Sequence, residues 1–152
     1  MIDRKYEFTG KTANVHGTTL HRIRAIKDFG NVKKGQLGGY IESRENLSHL
    51  DDAWVYGNAE VYENAYVCGN ARISGNAEVY GNAIVSDNAK IYDNARVYGN
   101  AHVYENARVF ENAWVCAKAW ISGNAKIYGN ACIRGNPYIY DNTEICDTTD
   151  FE

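Results

Sequence analysis

A six-residue period without insertion or deletion constrains this chain more than any other feature. Residues 53–148 divide into sixteen hexads, from AWVYGN at the start to TEICDT at the end. The first place is Ala in all but the last two hexads, the third is always Val or Ile, and the sixth is Asn except at Lys118 and Thr148. A fixed period of this kind indicates a repeat architecture, and it decides the fold before any local propensity does.

Each hexad combines a short extended segment with a corner. Places one and three point to one side of an extended chain and places two and four to the other, so the inward side is small and β-branched. Asn and Gly tolerate a left-handed backbone at low cost, so places five and six favour a sharp turn. Helices do not fit because they need a period near 3.6, and a disordered tract does not fit because aromatic residues are abundant. The pattern predicts a polygonal coil of short strands.

The array resembles the hexapeptide-repeat family, in which an aliphatic residue, a corner Asn or Gly and a small residue recur. Val55, Asn58 and Ala59 match this pattern, and so do the corresponding residues of later hexads. The family's Gly usually follows the aliphatic residue directly, whereas here it comes one place later. The resemblance implies an all-β fold: a single-stranded, left-handed parallel β-helix of triangular section, with about 18 residues in each coil.

A second resemblance covers the N-terminal part of the chain. The segment from Leu20 to Ala59, LHRIRAIKDFGNVKKGQLGGYIESRENLSHLDDAWVYGNA, is similar to the N-terminal segment of bacterial and phage hexapeptide-repeat proteins described as acyltransferases. Repeats specify a fold far better than a reaction, so this resemblance implies an architecture more strongly than an activity.

Residues 1–34 lie outside the period and predict a small N-terminal β cap. Lys5–Thr9 and Thr18–Lys27 are the expected strands, with turns at Thr9–Gly10 and His16–Gly17. A cap is expected because the open end of a solenoid exposes unpaired backbone and an apolar core.

Reading the hexad frame backwards gives GQLGGY, IESREN and LSHLDD, which predict one degenerate coil at 35–52. In this frame Leu37 stands at an inward third place, and Ile41 and Leu47 stand at inward first places. His49 also falls at an inward place beside the cap. We expect it to be a buried, hydrogen-bonded structural histidine.

The regular hexads of 53–148 end in altered units. Pro137 lacks a backbone donor and is tolerated chiefly at strand starts and edges, so it marks the last coil. Residues 149–152 are predicted to be a C-terminal tail whose charges discourage end-to-end stacking, with Phe151 folded over the core.

Composition excludes several classes of protein. The 152 residues carry a net charge of −3 and a pI near 5.8, which suits one domain without a basic nucleic-acid-binding surface. The sequence shows neither an apolar run of membrane-spanning length nor a secretory leader. Its four cysteines fall at outward places without zinc spacing or an obvious disulfide partner. We therefore expect a cytoplasmic protein.

With three hexads per coil, outward residues of every third hexad form files along three faces. The third face is almost uncharged and aromatic, which is typical of an interaction surface. We interpret it as a self-association interface; a tyrosine ladder that only stabilises the sheet is the alternative. The interface file is Tyr66, Ile84, His102, Trp120 and Tyr138.

The first face stacks four cations beside aromatic rings. We interpret it as a solvated surface whose long side chains splay apart and lie over the tyrosines. The alternative is an anion-binding surface, because cations beside aromatic rings are typical of nucleotide and single-stranded nucleic-acid sites. The cations are Arg72, Lys90, Arg108 and Lys126.

The sequence predicts a non-catalytic binding or scaffold solenoid that acts through its flat faces and self-associates. The resemblance makes a trimer the first expectation. An acyl-CoA-dependent acyltransferase is the alternative; the resemblance implies a histidine base, and His102 is the candidate. A second alternative is sequestration of an anionic small molecule or nucleotide.

We expect neither a cofactor nor a metal. The four histidines lack the spacing of the three-histidine metal site that the resemblance associates with carbonic anhydrases. The stacked corner carboxylates, Asp87 with Glu105 and Asp93 with Glu111, supply few ligands for calcium.

Overall fold

A computed structural model describes residues 3–147 and 149–150. An N-terminal hairpin and one further strand precede a single 3-10 turn at Arg44–Asn46, and short strands follow at six-residue intervals. The strands are β1 (Tyr6–Val15), β2 (Thr18–Ala25), β3 (Leu37–Ile41), β4 (Trp54–Val55), β5 (Glu60–Val61), β6 (Tyr66–Val67), β7 (Arg72–Ile73), β8 (Glu78–Val79), β9 (Ile84–Val85), β10 (Lys90–Ile91), β11 (Arg96–Val97), β12 (His102–Val103), β13 (Arg108–Val109), β14 (Trp114–Val115), β15 (Trp120–Ile121), β16 (Lys126–Ile127), β17 (Cys132–Arg134), β18 (Tyr138–Ile139), β19 (Glu144–Ile145) and β20 (Thr149–Asp150).

The predicted solenoid is confirmed, and its register follows the sequence period. The strands form three sheets, and in the regular array each strand pairs in parallel with the strand three hexads away, as Tyr66 pairs with Ile84. The first face is the sheet β4-β7-β10-β13-β16-β19, the third face is β6-β9-β12-β15-β18, and the second face contains β5-β8-β11-β14-β17. These are the three files expected from the sequence.

The hexad builds each coil in the same way. The inward Ala and the inward Val or Ile of every hexad from Ala53 to Ile133 are at most 1% exposed, so they form one continuous core. Backbone amides at places two, four and six donate to carbonyls of the next coil, as Tyr66 does to Ala83 (3.0 Å). The corner residue at place five adopts a left-handed backbone, with φ of 57° at Glu63, which explains the Gly and Asp found there. Glu63 additionally accepts a hydrogen bond from the amide of Gly81 in the next coil (3.0 Å).

The N-terminal hairpin extends the second face. Strand β2 pairs antiparallel with β1 and with β3, and β3 pairs parallel with β5. The turn predicted at His16–Gly17 is present, but the one predicted at Thr9–Gly10 is wrong. Those residues lie within β1, where the register shifts between Phe8 and Thr12. Gly10 has a φ of 95°, so its flexible backbone bends one strand instead of ending it.

The first coil departs from the predicted frame by two residues. Ile41 pairs with Val61 and Leu47 with Val67, so both occupy third places and not first places. Both are fully buried, as expected, but Leu37 is 50% exposed and its predicted inward position is wrong. Two additional residues before the regular array account for the offset.

A buried lysine closes the N-terminal end. Lys5 is 1% exposed, and its Nζ donates hydrogen bonds to the carbonyls of Leu50 (3.2 Å), Asp51 (3.1 Å) and Ala53 (2.7 Å). Nζ also lies 4.7 Å from the ring centre of Phe29. Burial lowers the pKa of this amine to about 8. Lys5 thereby provides a hydrogen-bond donor for three backbone carbonyls at the N-terminal end of the triangular solenoid, or prism.

Aromatic rings pack beneath the cap. Trp54 stands at an outward place of its hexad, yet it is fully buried, because Tyr6 and Phe29 lie against its ring with centroid distances of 6.2 and 5.4 Å. His49 stacks on Tyr6 at 4.2 Å, and its Nδ1 accepts a hydrogen bond from the backbone amide of Lys5. These contacts fit the structural role expected for His49, but the predicted inward, buried position is wrong: His49 is half-buried and, because Leu47 pairs with Val67, stands at a corner place.

The C-terminal end is also offset by two residues. Strand β20 pairs with β17 so that Thr149 lies opposite Ile133, two positions short of the regular spacing. Residues 149–150 therefore add a strand to the second-face sheet, where the sequence predicts a tail. The expectation for Phe151 lies outside the described residues. In the part of the chain that the structure describes, no helix has the length and apolar character needed to cross a bilayer.

Candidate functional site

The first face carries its four cations in one file. Arg72, Lys90, Arg108 and Lys126 are successive partners in the strand register. Among the described residues none of them forms an ion pair, whereas Arg96 on the second face meets Glu78 at 2.9 Å. Unpaired like charges in adjacent strands disfavour the sheet unless their side chains splay into solvent or meet an anion.

An aromatic row runs beside these cations at place four. Tyr92, Phe110 and Tyr128 stack almost parallel, with centroid distances of 5.0 and 5.2 Å. Below Tyr92 the row is interrupted by Ser74, and Tyr56 stands on its other side. The first-face row is therefore continuous from Tyr92 to Tyr128, ends at Cys146 and is interrupted near the cap by Ser74.

A groove marks this interruption. Its volume is about 400 Å³, and it is lined by Asn31, Tyr56, Arg72, Ser74, Lys90 and Tyr92. Five of these residues come from the face itself, and Asn31 comes from the loop of the cap. An adjoining groove of about 320 Å³ shares Asn31, Tyr56 and Arg72 with it. Sequence reasoning identified the cations but missed the groove, although Ser74 between two tyrosines was a visible signal.

The third face presents its file to solvent. Tyr66 is 39%, Trp120 37% and Tyr138 68% exposed, while Ile84 and His102 are half-buried between them. His102 stacks on Trp120 at 4.8 Å, and Tyr138 meets the same ring edge-on at 5.5 Å. Except for His102, the described outward residues of this file and of its place-four neighbours carry no ionisable acid or base of the Asp, Glu, Lys, Arg or His type.

The second face is covered at its N-terminal end by the hairpin. Leu20 of β2 packs against Tyr40 and Tyr62, and these two rings are only 8% and 4% exposed. Glu60 and Glu78 are neighbours in the register of this face. Burial, and secondarily the Glu78 carboxylate, raise the pKa of Glu60. The residues at this end of the face therefore pack against the hairpin and stabilise the fold.

His102, the candidate base, has no described acid or hydroxyl hydrogen-bonded to its ring, and its one described ring contact is with Trp120. His49 is equally unsuited to proton transfer with a substrate, because its Nδ1 already accepts a hydrogen bond from the backbone amide of Lys5. Burial lowers the pKa of His49, which favours the neutral imidazole that accepts this bond.

The corner carboxylates bind backbone amides. Asp87 accepts from the amide of Glu105 (3.0 Å), and Asp93 accepts from the amide of Glu111 (3.1 Å). Glu105 repeats the arrangement with Gly123. The described residues contain no group of three or more His, Cys, Asp or Glu side chains placed to hold a metal ion. These carboxylates therefore connect successive coils.

Comparison with known families identifies the repeat. The model of the YdcK beta solenoid repeat matches residues 71–87 and 89–105. The two matched segments begin three hexads apart, at Ala71 and Ala89, and cover two successive coils of the prism. The chain therefore carries β-solenoid repeats. No curated protein matches the sequence.

Proposed function

We propose that this protein is a non-catalytic binding scaffold that assembles with copies of itself through its third face. The observation that supports this most directly is the exposed aromatic file of that face, which contains no Asp, Glu, Lys or Arg among the described positions. Exposed aromatic surface without charge is disfavoured in water and is enriched at the cores of protein interfaces.

Charge favours a second copy of the chain as the partner. Copies that turn the same face towards a common symmetry axis bring the charges of that face near one another, so such a face requires low charge. The first face carries four cations, and the hairpin packs over the N-terminal end of the second face. The third face has neither obstacle. The family resemblance favours three copies in the assembly.

The assembly is tested by placing charge in the file. The double variant Ile84→Lys with Trp120→Lys puts two cations of each copy into the interface, and we expect a monomer by multi-angle light scattering. Trp114→Lys is the matched control, because Trp114 is 40% exposed on the second face and should not affect the mass. Circular dichroism establishes that each variant keeps its sheet content.

A monomeric wild type, or an unchanged oligomer in the double variant, contradicts self-association through the third face. An equal loss of mass in Trp114→Lys contradicts the choice of face, because the assembly would then depend on the second face as well.

Acyl transfer from an acyl-CoA is the alternative function, since His102 lies on the face where neighbouring subunits would meet. A general base must reach the proton of the attacking hydroxyl or amine. An assay of acyl transfer from acetyl-CoA separates the two functions. An acyltransferase moves the acyl group from acetyl-CoA to an acceptor and loses this transfer in His102→Ala, whereas the scaffold transfers no acyl group with or without His102.

A further inference from the structure

The aromatic row of the first face lacks one ring, and the two residues beside the gap are far enough apart to admit one ring between them. The row places its rings about 5 Å apart, as the stacked Tyr92 and Phe110 do. Ser74 occupies the position between Tyr56 and Tyr92, which lie two strand spacings apart, or about 10 Å. One planar ring fits this slot with about 5 Å to each neighbour, the spacing that the rest of the row already shows.

Two cations stand beside the slot. Arg72 and Lys90 are opposite each other in adjacent strands and line the same groove as Ser74. Arg72 precedes Ser74 by two residues, and Lys90 precedes Tyr92 by two residues. The backbone positions of the two cations therefore lie about 7 Å from the slot, measured along the strands. Among the described residues neither has an ion-pair partner. Asp52 borders the adjoining groove, but it forms no ion pair with Arg72.

We propose that this slot binds a nucleoside monophosphate, with the base between Tyr56 and Tyr92 over Ser74 and the phosphate at Arg72 and Lys90. Stacking on aromatic side chains and charge-assisted hydrogen bonds to phosphate are the two contacts such a ligand requires. The sugar separates the ring from the phosphate and spans the distance between the slot and the cations. The amide of Asn31, from the cap loop, borders the same groove and is available to a polar edge of the ligand.

The rest of the face predicts a single site in each chain. Arg108 stands beside Phe110, which stacks between Tyr92 and Tyr128, so no ring can enter there. A single-stranded nucleic acid needs repeated stacking positions along its path, and this face offers one slot between two rings. The slot lies on a different face from the aromatic file of the self-association proposal, so either proposal can fail without the other.

Calorimetry with three probes tests the chemistry. Adenosine monophosphate should bind saturably with one site per chain and weaken as salt increases. Adenosine carries the ring without the phosphate, and ribose 5-phosphate carries the phosphate without the ring. Both should bind at least about tenfold more weakly, because each lacks one of the two contacts. An absence of saturable binding of adenosine monophosphate at millimolar concentration overturns the proposal.

Two pairs of variants test the location. Ser74→Phe completes the aromatic row and should reduce binding at least about tenfold, while Ser86→Phe at place four of the third face leaves it unchanged. Arg72→Gln should weaken binding about tenfold, and Arg108→Gln, beside the filled row, less than about twofold. Undiminished binding in Ser74→Phe, or an equal loss in Arg72→Gln and Arg108→Gln, overturns the assignment. Tighter binding of an oligonucleotide than of the mononucleotide also overturns it.

Discussion

The capped end and the regular array are stabilised by different kinds of contact. In the array each coil repeats the same ladder of backbone hydrogen bonds and the same inward Ala and Val or Ile, so the free energy of folding is shared among many equivalent residues. At the cap, Lys5, Tyr6 and His49 make contacts that occur once. Repetition therefore distributes stability, whereas an end concentrates it in a few side chains.

Replacing Lys5 should have the largest effect. Lys5→Met keeps an apolar stem but leaves three carbonyls without their donor, and we expect a loss of about 3 kcal/mol in the free energy of unfolding. Lys27→Met is the control, because Lys27 pairs with the exposed Asp3 and should cost less than about 0.5 kcal/mol. Urea unfolding measures both. Equal losses in the two variants would show that the hydrogen bonds of Lys5 do not make a special contribution to the stability of the cap.

The array should respond uniformly to equivalent substitutions. Val97→Ala removes two buried methyl groups and should cost about 2 kcal/mol. Val79 and Val115 occupy the same place in the neighbouring coils of the second face and are equally buried. Their Ala variants should agree with Val97→Ala within about 0.5 kcal/mol in urea unfolding. A wide spread among the three would contradict the equivalence of the coils.

Acid should weaken the cap before the array. The pKa of His49 is lowered in the folded protein, so the unfolded chain takes up the proton first as the pH falls below about 6.5. Stability is full above that pH and is lost below it. We expect the melting temperature of the wild type to decrease between about pH 7.5 and about pH 5 more than that of His49→Gln, which has no imidazole to protonate.

The pH effect should be smaller than either substitution, because it concerns the one hydrogen bond from the amide of Lys5 to Nδ1. Identical pH profiles for the wild type and His49→Gln would exclude His49 as its source.

An exposed corner should contribute least. Asn94 donates to Asn112 (3.4 Å) and accepts from Asn76 (3.4 Å) in a ladder along one edge of the prism. These bonds are long and open to water, so Asn94→Ala should cost about 0.5 kcal/mol. Thermal unfolding monitored by circular dichroism measures the change. A loss as large as that of Val97→Ala would mean that the corners, and not the core, determine the stability of a coil.

The sequence period predicts the array because one register satisfies every hexad at once. Moving a strand by one residue would turn Val97 outward, and this penalty recurs in each coil. The pairing of Tyr66 with Ile84 follows directly from it. At the ends no such repetition exists, so the frame offset at Ile41 and the exposure of Leu37 were not predictable from spacing alone.

One signal for the first coil was present in the sequence. Gly38 and Gly39 are adjacent, and a Cβ atom at Gly39 would lie 2.4 Å from the carbonyl oxygen of Ala59. A pair of glycines at a close backbone approach could have placed β3 against β5. The burial of Trp54 was harder to predict, since it depends on Phe29 in a loop whose path no pattern specifies.

Because the two-residue offsets lie at the ends, the number of regular coils between them does not depend on the structures that close the solenoid. Because the first coil and β20 each leave the frame on their own side of the array, inserting or removing one unit of three hexads between them changes neither closing structure. Such a change would lengthen or shorten the prism by about 4.8 Å and leave the direction of each face unaltered. The length of the solenoid can therefore change by whole coils while the structures at its two ends remain the same.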